Sequence, residues 1–290
     1  MSQTSLPAGL YITATPIGNA KDITLRALEI LRLADILLCE DTRTTKRLLE
    51  IHSVKRARDS RILAYHDHSS DKIRRGILDN VEAGKAVALV SEAGMPLVSD
   101  PGYRLVCDAF ERGIDVTCAP GANAVLTALT LSGLPSDRFF FAGFPPSKQS
   151  ARRRFLSELE DIPATLVFFE SPHRLAGSLK DMAGIFEGRN GTVARELTKR
   201  FEEIKRGALG KLADFYAGQA PKGEMVVLVE GAVANTAKDI GVDVEAQLRI
   251  AMKNSTLSAA AREVAQNNGL PRSAVYRRAL ALQQEDSPDA

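Results

Sequence analysis

Short, mostly apolar runs recur along the first 120 positions, and between them lie longer stretches whose apolar residues return every three or four places. The short runs LYITAT (10–15), DILLCE (35–40), ILAYH (62–66), AVALVS (86–91) and DVTCAP (115–120) predict strands. The stretches TLRALEILRLA (24–34), DKIRRGILDNVEAG (71–84) and GYRLVCDAFERG (102–113) predict helices, the last two meeting Gly where a helix cap belongs. Strands that alternate with helices build a sheet from strand-helix units, so residues 1–120 are expected to form an N-terminal α/β domain.

Past a further helical stretch, NAVLTALTLSGL (123–134), the texture changes. RFFFAGF (138–144), ATLVFFE (164–170), GTVARELT (191–198), FEEIKRG (201–207) and EMVVLVEG (224–231) are more aromatic, and some are close enough to pair as antiparallel neighbours. A second, α+β domain is expected over 121–232. Small and polar residues then mark 233–242 as a linker. Residues 243–290 form a small helical domain and tail, with three helical patterns broken at Asn254-Ser255 and at Asn268-Gly269-Leu270-Pro271. Two short helices across such a turn make a helix-turn-helix pattern. From 243 to 281 six basic residues (Arg249, Lys253, Arg262, Arg272, Arg277, Arg278) face three acids, which suits a solvated bundle and a nucleic-acid contact alike.

Composition narrows the class without naming a function. With 290 residues, 44% hydrophobic and 26% charged, the chain is globular and long enough for two domains and an appendage. Thirty-eight Lys and Arg against 36 Asp and Glu leave +2, so any basic footprint must be local. Cys39, Cys107 and Cys118 are far apart, without C-x-x-C spacing, and predict reduced thiols rather than a disulfide or zinc framework. The start lacks a basic and an apolar leader region, and no apolar run approaches the roughly 18 residues of a membrane span. A soluble cytoplasmic protein with no membrane contact is expected.

The predicted strand ends carry the chemistry. TPIGN (15–19), SEAGMPLVSDPG (91–102), APGANA (119–124) and FFESPHR (168–174) are rich in Gly and Pro, so each holds one shape. Open α/β sheets bind ligands at this edge, and four such loops describe a cleft between two domains. Neither G-x-G-x-x-G nor a P-loop occurs, and G-x-S-x-G is missing around Ser171. Three adjacent residues on a strand point to alternate faces, so HDH (66–68) cannot converge on one ion, and no metal is expected.

The order of motifs TPIGN, CEDTR (39–43), YHDH (65–68), VALVSEAGMPLVSDPGYRL (87–105), LSGLPSDRF (131–139), ESPHR (170–174), ARELTK (194–199) and KGEMV (222–226) resembles the ribosomal RNA small subunit methyltransferase I family of the tetrapyrrole methylase superfamily. The resemblance runs from about residue 9 to 231, and the helical tail is similar to that family's small C-terminal domain. It implies two α/β domains with S-adenosylmethionine in the cleft between them, a homodimer, and 2′-O-methylation of a cytidine in the decoding region of 16S ribosomal RNA, within the small subunit. Glu92 and Met95 stand where the family usually has Asp and Thr, and Ala122-Asn123 where it has Pro-Ser or Pro-Cys.

Site residues follow from loops and resemblance together. Pro16, Gly18, Asn19, Ser91, Glu92, Ala93, Gly94, Pro96, Gly121, Asn123 and Ala124 are expected at the cofactor from the first domain. From the second come Phe169, Glu170, Arg195 and Glu196, with Phe168 or Phe169 able to pack on adenine. Methyl transfer to a ribose hydroxyl is an in-line displacement that needs orientation and removal of one proton. Candidates for the base are Glu40, His66 and Glu170, with Asp41 and His173 nearby in sequence. Arg43, Lys46 and Arg47, then Lys148, Arg152, Arg153 and Arg154, then Lys199 and Arg200, are clusters suited to RNA phosphates. A small-molecule methylase and a non-catalytic nucleic-acid-binding protein are the rival readings.

Overall fold

The structure, a computed structural model, describes residues 5–66, 69–219, 221–232, 242–270 and 272–285. The chain divides into two compact units, Met1–Gly231 and Ala232–Ala290.

Five strands of the first unit, β1 (Gly9–Thr13), β2 (Ile36–Cys39), β3 (Arg61–Ala64), β4 (Ala86–Val90) and β5 (Val116–Ala119), form a parallel sheet in the order β3-β2-β4-β1-β5. The central strands β1, β2 and β4 are buried throughout, which is why they read as unbroken apolar runs. Alternate residues serve opposite faces. Leu10, Ile12, Leu38 and Leu89 pack with Leu78 of α3 (Asp71–Glu82) and Leu105 of α4 (Tyr103–Glu111). Tyr11, Leu37 and Ala88 pack with Leu31 of α1 (Leu25–Leu33) and Leu49 of α2 (Thr42–Ile51). Every loop leaving a strand's carboxyl end therefore lies on one edge of the sheet.

The second sheet has the order β6-β7-β10-β8-β9, from β6 (Phe139–Gly143), β7 (Thr165–Glu170), β8 (Asn190–Arg195), β9 (Glu203–Ala208) and β10 (Met225–Val229). Its β7, β10, β8 and β9 pair antiparallel, whereas β6 and β7 are parallel, because α6 (Gln149–Glu158) carries the chain back between them. α6, α7 (Leu175–Ile185) and α8 (Leu209–Ala217) cover one face through Leu156, Leu179, Met182 and Tyr216. The other face receives α5 (Ala124–Ser132) through Val125, Ala128 and Leu129. Ile17, from the loop after β1, is buried in that same cluster with Val167, Val226 and Leu228, so the two sheets share apolar packing.

In the second unit α9 (Val242–Asn254), α10 (Leu257–Asn268) and α11 (Arg272–Glu285) surround Leu248, Ala261, Val264, Val275 and Leu282. Gly269 ends α10 at φ +63, the left-handed cap that glycine favours. Residues 233–241 of the predicted linker, and Pro271 of the turn, lie outside the described residues. Among the described residues no helix is long and apolar enough to cross a membrane.

Candidate active site

Loops from both sheets close around a cavity of about 370 Å³. The first sheet contributes Ile17, residues 93–95 and 98–100, and Asn123 with Ala124; the second contributes Phe144, residues 169–172 and residues 223–226. Of the residues predicted to meet a cofactor, Ala93, Gly94, Asn123, Ala124, Phe169 and Glu170 line this space. Strand alternation decides between the two phenylalanines, since Phe168 is fully buried in the core. Sequence reasoning missed Val98, Ser99, Phe144, Ser171 and Pro172 as lining groups, although SDPG and GFPP carried the signal, and it missed residues 223–226.

The loop after β4 is held by backbone pairing. Thr15 N donates to Gly94 O at 2.9 Å and Gly94 N donates to Thr15 O at 3.0 Å, an isolated antiparallel bridge between the two strand ends. Gly94 has φ +83, and a Cβ there would stand 3.1 Å from Ile17 Cγ2, so this glycine serves both the turn and the close approach. Ser91 is buried and donates from Oγ to Gly94 O at 2.7 Å, so it ties the turn. Leu97 (φ 71) and Ser99 (φ 61) adopt left-handed backbone beside the cavity, strain that residues other than glycine carry only where the surroundings enforce it.

α5 begins at the cavity wall. Leu126 N donates to Asn123 Oδ1 at 3.0 Å, so the amide that departs from the family's Ser or Cys caps the helix. The first-turn amides of Ala124 and Val125 have no acceptor within a helix and give this end partial positive character, which favours a carboxylate. Met95, Val98, Phe169 and Met225 make most of the remaining wall apolar. A carboxylate-bearing ligand with an apolar aromatic part fits such a lining.

Other residues predicted at the cofactor make structural contacts, of which those of Gly18 and Asn19 join the two sheets. Gly18 approaches the loop after β8: a Cβ there would lie 2.5 Å from Lys199 Cγ and 2.9 Å from Leu197 O, while Asn19 N donates to Thr198 Oγ1 at 3.0 Å. Gly121 packs on Ala14, whose Cβ would stand 2.9 Å from an added methyl. Arg195 Nε binds Glu203 Oε2 at 3.0 Å. Glu196 Oε1 accepts from Lys199 Nζ at 2.9 Å and from Glu224 N at 3.0 Å, and Lys199 Nζ also reaches Glu224 Oε2 at 3.1 Å. Burial pushes the Glu196 carboxyl up, yet the Lys199 ammonium and the Glu224 amide outweigh it and hold the group below its ordinary value. Glu196 thus fixes the 223–224 turn that lines the cavity. Pro16, Glu92 and Pro96 belong to the same loops, Glu92 with an exposed side chain.

The candidate bases are distributed unevenly. Glu170 lines the cavity but its carboxylate is enclosed: Oε1 accepts from Ser171 N at 2.8 Å and lies 3.4 Å from Arg174 Nε, and Ser178 Oγ donates to Oε2. That carboxylate braces the turn after β7. Asp41 caps α2, and its hydrogen bonds from the Arg43 guanidinium and backbone draw its carboxyl down to about 2. Glu40 and His66 are exposed on the same sheet edge, and His173 is exposed beyond β7; Asp67 and His68 of HDH lie outside the described residues. Among the described residues the acidic ones in the cavity lining are Asp100, Glu170 and Glu224, and the Glu224 side chain is 72% exposed. No group of three His, Cys, Asp or Glu among the described residues is placed to hold a metal ion.

Burial also sorts the basic clusters. Arg43, Lys46, Arg47, Lys148, Arg153, Arg154 and Arg200 are exposed. Arg152 is buried, with Nε 2.8 Å from Asp181 Oδ2, so it joins α6 to α7. Lys199 is shared between two carboxylates. The free cysteines also differ: Cys39 is buried in the core, while Cys118, on the edge strand β5, is exposed.

This two-sheet arrangement matches known proteins. A model of the tetrapyrrole (corrin/porphyrin) methylases matches residues 9–213, and one of the RsmI C-terminal HTH domain matches residues 238–283. The ribosomal RNA small subunit methyltransferase I of Mesorhizobium japonicum is 48% identical, over 97% of this chain and 96% of that protein. The chain belongs to the ribosomal RNA small subunit methyltransferase I family. Solved tetrapyrrole enzymes share this methyltransferase family's fold. The cobalamin biosynthetic enzyme cobalt precorrin-4 methyltransferase matches with a TM-score of 0.56 and 21% identity, covering 76% of this chain and 94% of that one. Uroporphyrin-III C-methyltransferase of Thermus thermophilus, solved with S-adenyl homocysteine, matches with a TM-score of 0.50 and 18% identity, covering 77% and 96%.

Proposed function

We propose that this family member transfers a methyl group from S-adenosylmethionine to the ribose 2′-hydroxyl of a cytidine in the decoding region of 16S ribosomal RNA, within the small subunit, as a cytoplasmic homodimer. One observation carries the choice of RNA over a tetrapyrrole. Identity of 48% to an enzyme named for ribosomal RNA spans both units, whereas the tetrapyrrole enzymes share the fold at about 20% identity and leave roughly a quarter of the chain uncovered.

The cavity residues fit the cofactor. The amides that open α5 would take its carboxylate, and the apolar surface around Phe169 and Met225 its adenine. Bound there, it supplies a methyl on a cationic sulfur. Transfer to the 2′-oxygen would break that C–S bond as a C–O bond forms, and the 2′-hydroxyl proton would leave to a base. We assign that base to Glu224, a residue of the cavity lining whose exposed carboxylate lies 3.1 Å from Lys199 Nζ. Rigid loops do the orienting, which is most of the work in such a displacement. Lys148, Arg153 and Arg154 near one wall, with Arg43, Lys46 and Arg47 on α2, offer exposed cations to phosphates, and the target nucleotide would be splayed out of its stack to expose its ribose.

Incubation with methyl-labelled S-adenosylmethionine and two acceptors, small subunits lacking the modification and a uroporphyrin-type tetrapyrrole, tests the reading. Label is expected in the RNA alone. Label confined to the tetrapyrrole would make this chain a small-molecule methylase and its basic helices ordinary surface.

A further inference from the structure

Phe144 is an exposed aromatic residue on a rigid mount at the mouth of the cavity. The residue lines the cavity and stays 55% exposed. Its ring centroid is 5.4 Å from Phe169, which in turn meets Phe141 edge-on at 4.9 Å, so three rings lead from the sheet to solvent. Gly143 precedes it at φ +67, Pro145 and Pro146 follow, and Arg174 donates to Pro145 O. Arg174 also lies 3.4 Å from the buried Glu170 carboxylate, so the loop is pinned to the turn after β7. The exposed cations Lys148, Arg153 and Arg154 follow in the chain, Arg153 with Nη1 3.4 Å from Asp181 Oδ1.

We propose that Phe144 is the stacking platform for the unpaired base of the RNA nucleotide being modified. A flat apolar face beside cations is what single-stranded RNA binds, since every base has a face to stack and every nucleotide brings a phosphate. The inner ring, Phe169, is half-buried and available to a ligand deep in the cavity, whereas Phe144 faces outward, where a second molecule must arrive. The inference rests on the RNA reading above and adds the residue that would hold the base while the ribose is methylated. Pinning the loop means that little ordering remains to be done when RNA binds.

The test compares the full-length protein with Phe144→Ala and Phe144→Trp. Cofactor affinity is measured by calorimetry, kcat/KM by label transfer to unmodified small subunits, and equilibrium binding with a single-stranded RNA oligonucleotide. Phe144→Ala is expected to weaken oligonucleotide binding and lower kcat/KM for subunits about tenfold or more, with cofactor affinity within twofold and Trp restoring most of the loss. Equal RNA binding by Phe144→Ala and the parent overturns the platform. A matching loss of cofactor affinity also overturns it and gives the ring to adenine. Because oligonucleotide binding needs no turnover, a parent protein that binds RNA through Phe144 but labels no RNA would sink the methyltransferase reading and, with it, the platform for a modified nucleotide, leaving Phe144 a contact for RNA alone.

Discussion

Gly18 shows how a glycine in a predicted cofactor loop is also a joint. Its position in TPIGN suggested close approach to a cofactor, but its neighbours are the backbone and side chains of 197–199. Nothing in a single sequence says which partner a glycine makes room for. Gly18→Ala would drive a methyl against Leu197 O at 2.9 Å, backbone that cannot rotate away, and is expected to cost about 1–3 kcal/mol of stability, read as a lower Tm. Glu196 makes a pH prediction. Its folded pKa is depressed, so its contribution is present above the unfolded carboxylate range and is lost as pH falls through the lower folded value. Burial lowers the pKa of Lys199, but its bonds to Glu196 and Glu224 raise it overall, so its contribution is present below the unfolded lysine range and is lost as pH rises through the higher folded value. The Tm difference between the parent and Glu196→Gln should therefore hold at pH 7 and shrink below about pH 4. Glu224→Gln is expected to lower kcat by about a hundredfold or more, with cofactor affinity nearly unchanged, in single-turnover and calorimetric measurements.

At the scale of elements, the strands and helices of the first sheet were legible because β1, β2 and β4 are buried on both faces and the helices between them carry one apolar face each. The second sheet was legible as strands but not in every direction, since the parallel pairing of β6 with β7 depends on a helix whose packing no local pattern encodes. The same blindness affected the arginines of α6. Their charge was visible, their burial was not: Arg152 is sealed against Asp181, while Arg154 faces solvent. Arg152→Ala should leave Asp181 buried without its main partner and cost about 3–5 kcal/mol in denaturant unfolding. Arg154→Ala should leave stability unchanged, weaken RNA binding and reduce its salt slope by about one.

At the scale of the whole molecule, the cleft was foreseeable because constrained loops cluster where parallel strands end, and the motif order supplied the family. The lining from 223–226 was not, because its place depends on β10 lying in the middle of a mixed sheet, far along the chain from the loops it meets. Each unit has its own apolar core, so the chain cut after Gly231 is expected to keep its cofactor affinity in calorimetry. The central claim is methyl transfer to one ribose of ribosomal RNA. The most direct measurement is mass-spectrometric mapping of 16S RNA from small subunits that lack the modification, before and after treatment with the protein and S-adenosylmethionine. One new 2′-O-methylcytidine in the decoding region is the predicted result; unmodified RNA, or a methyl on a base, would contradict it.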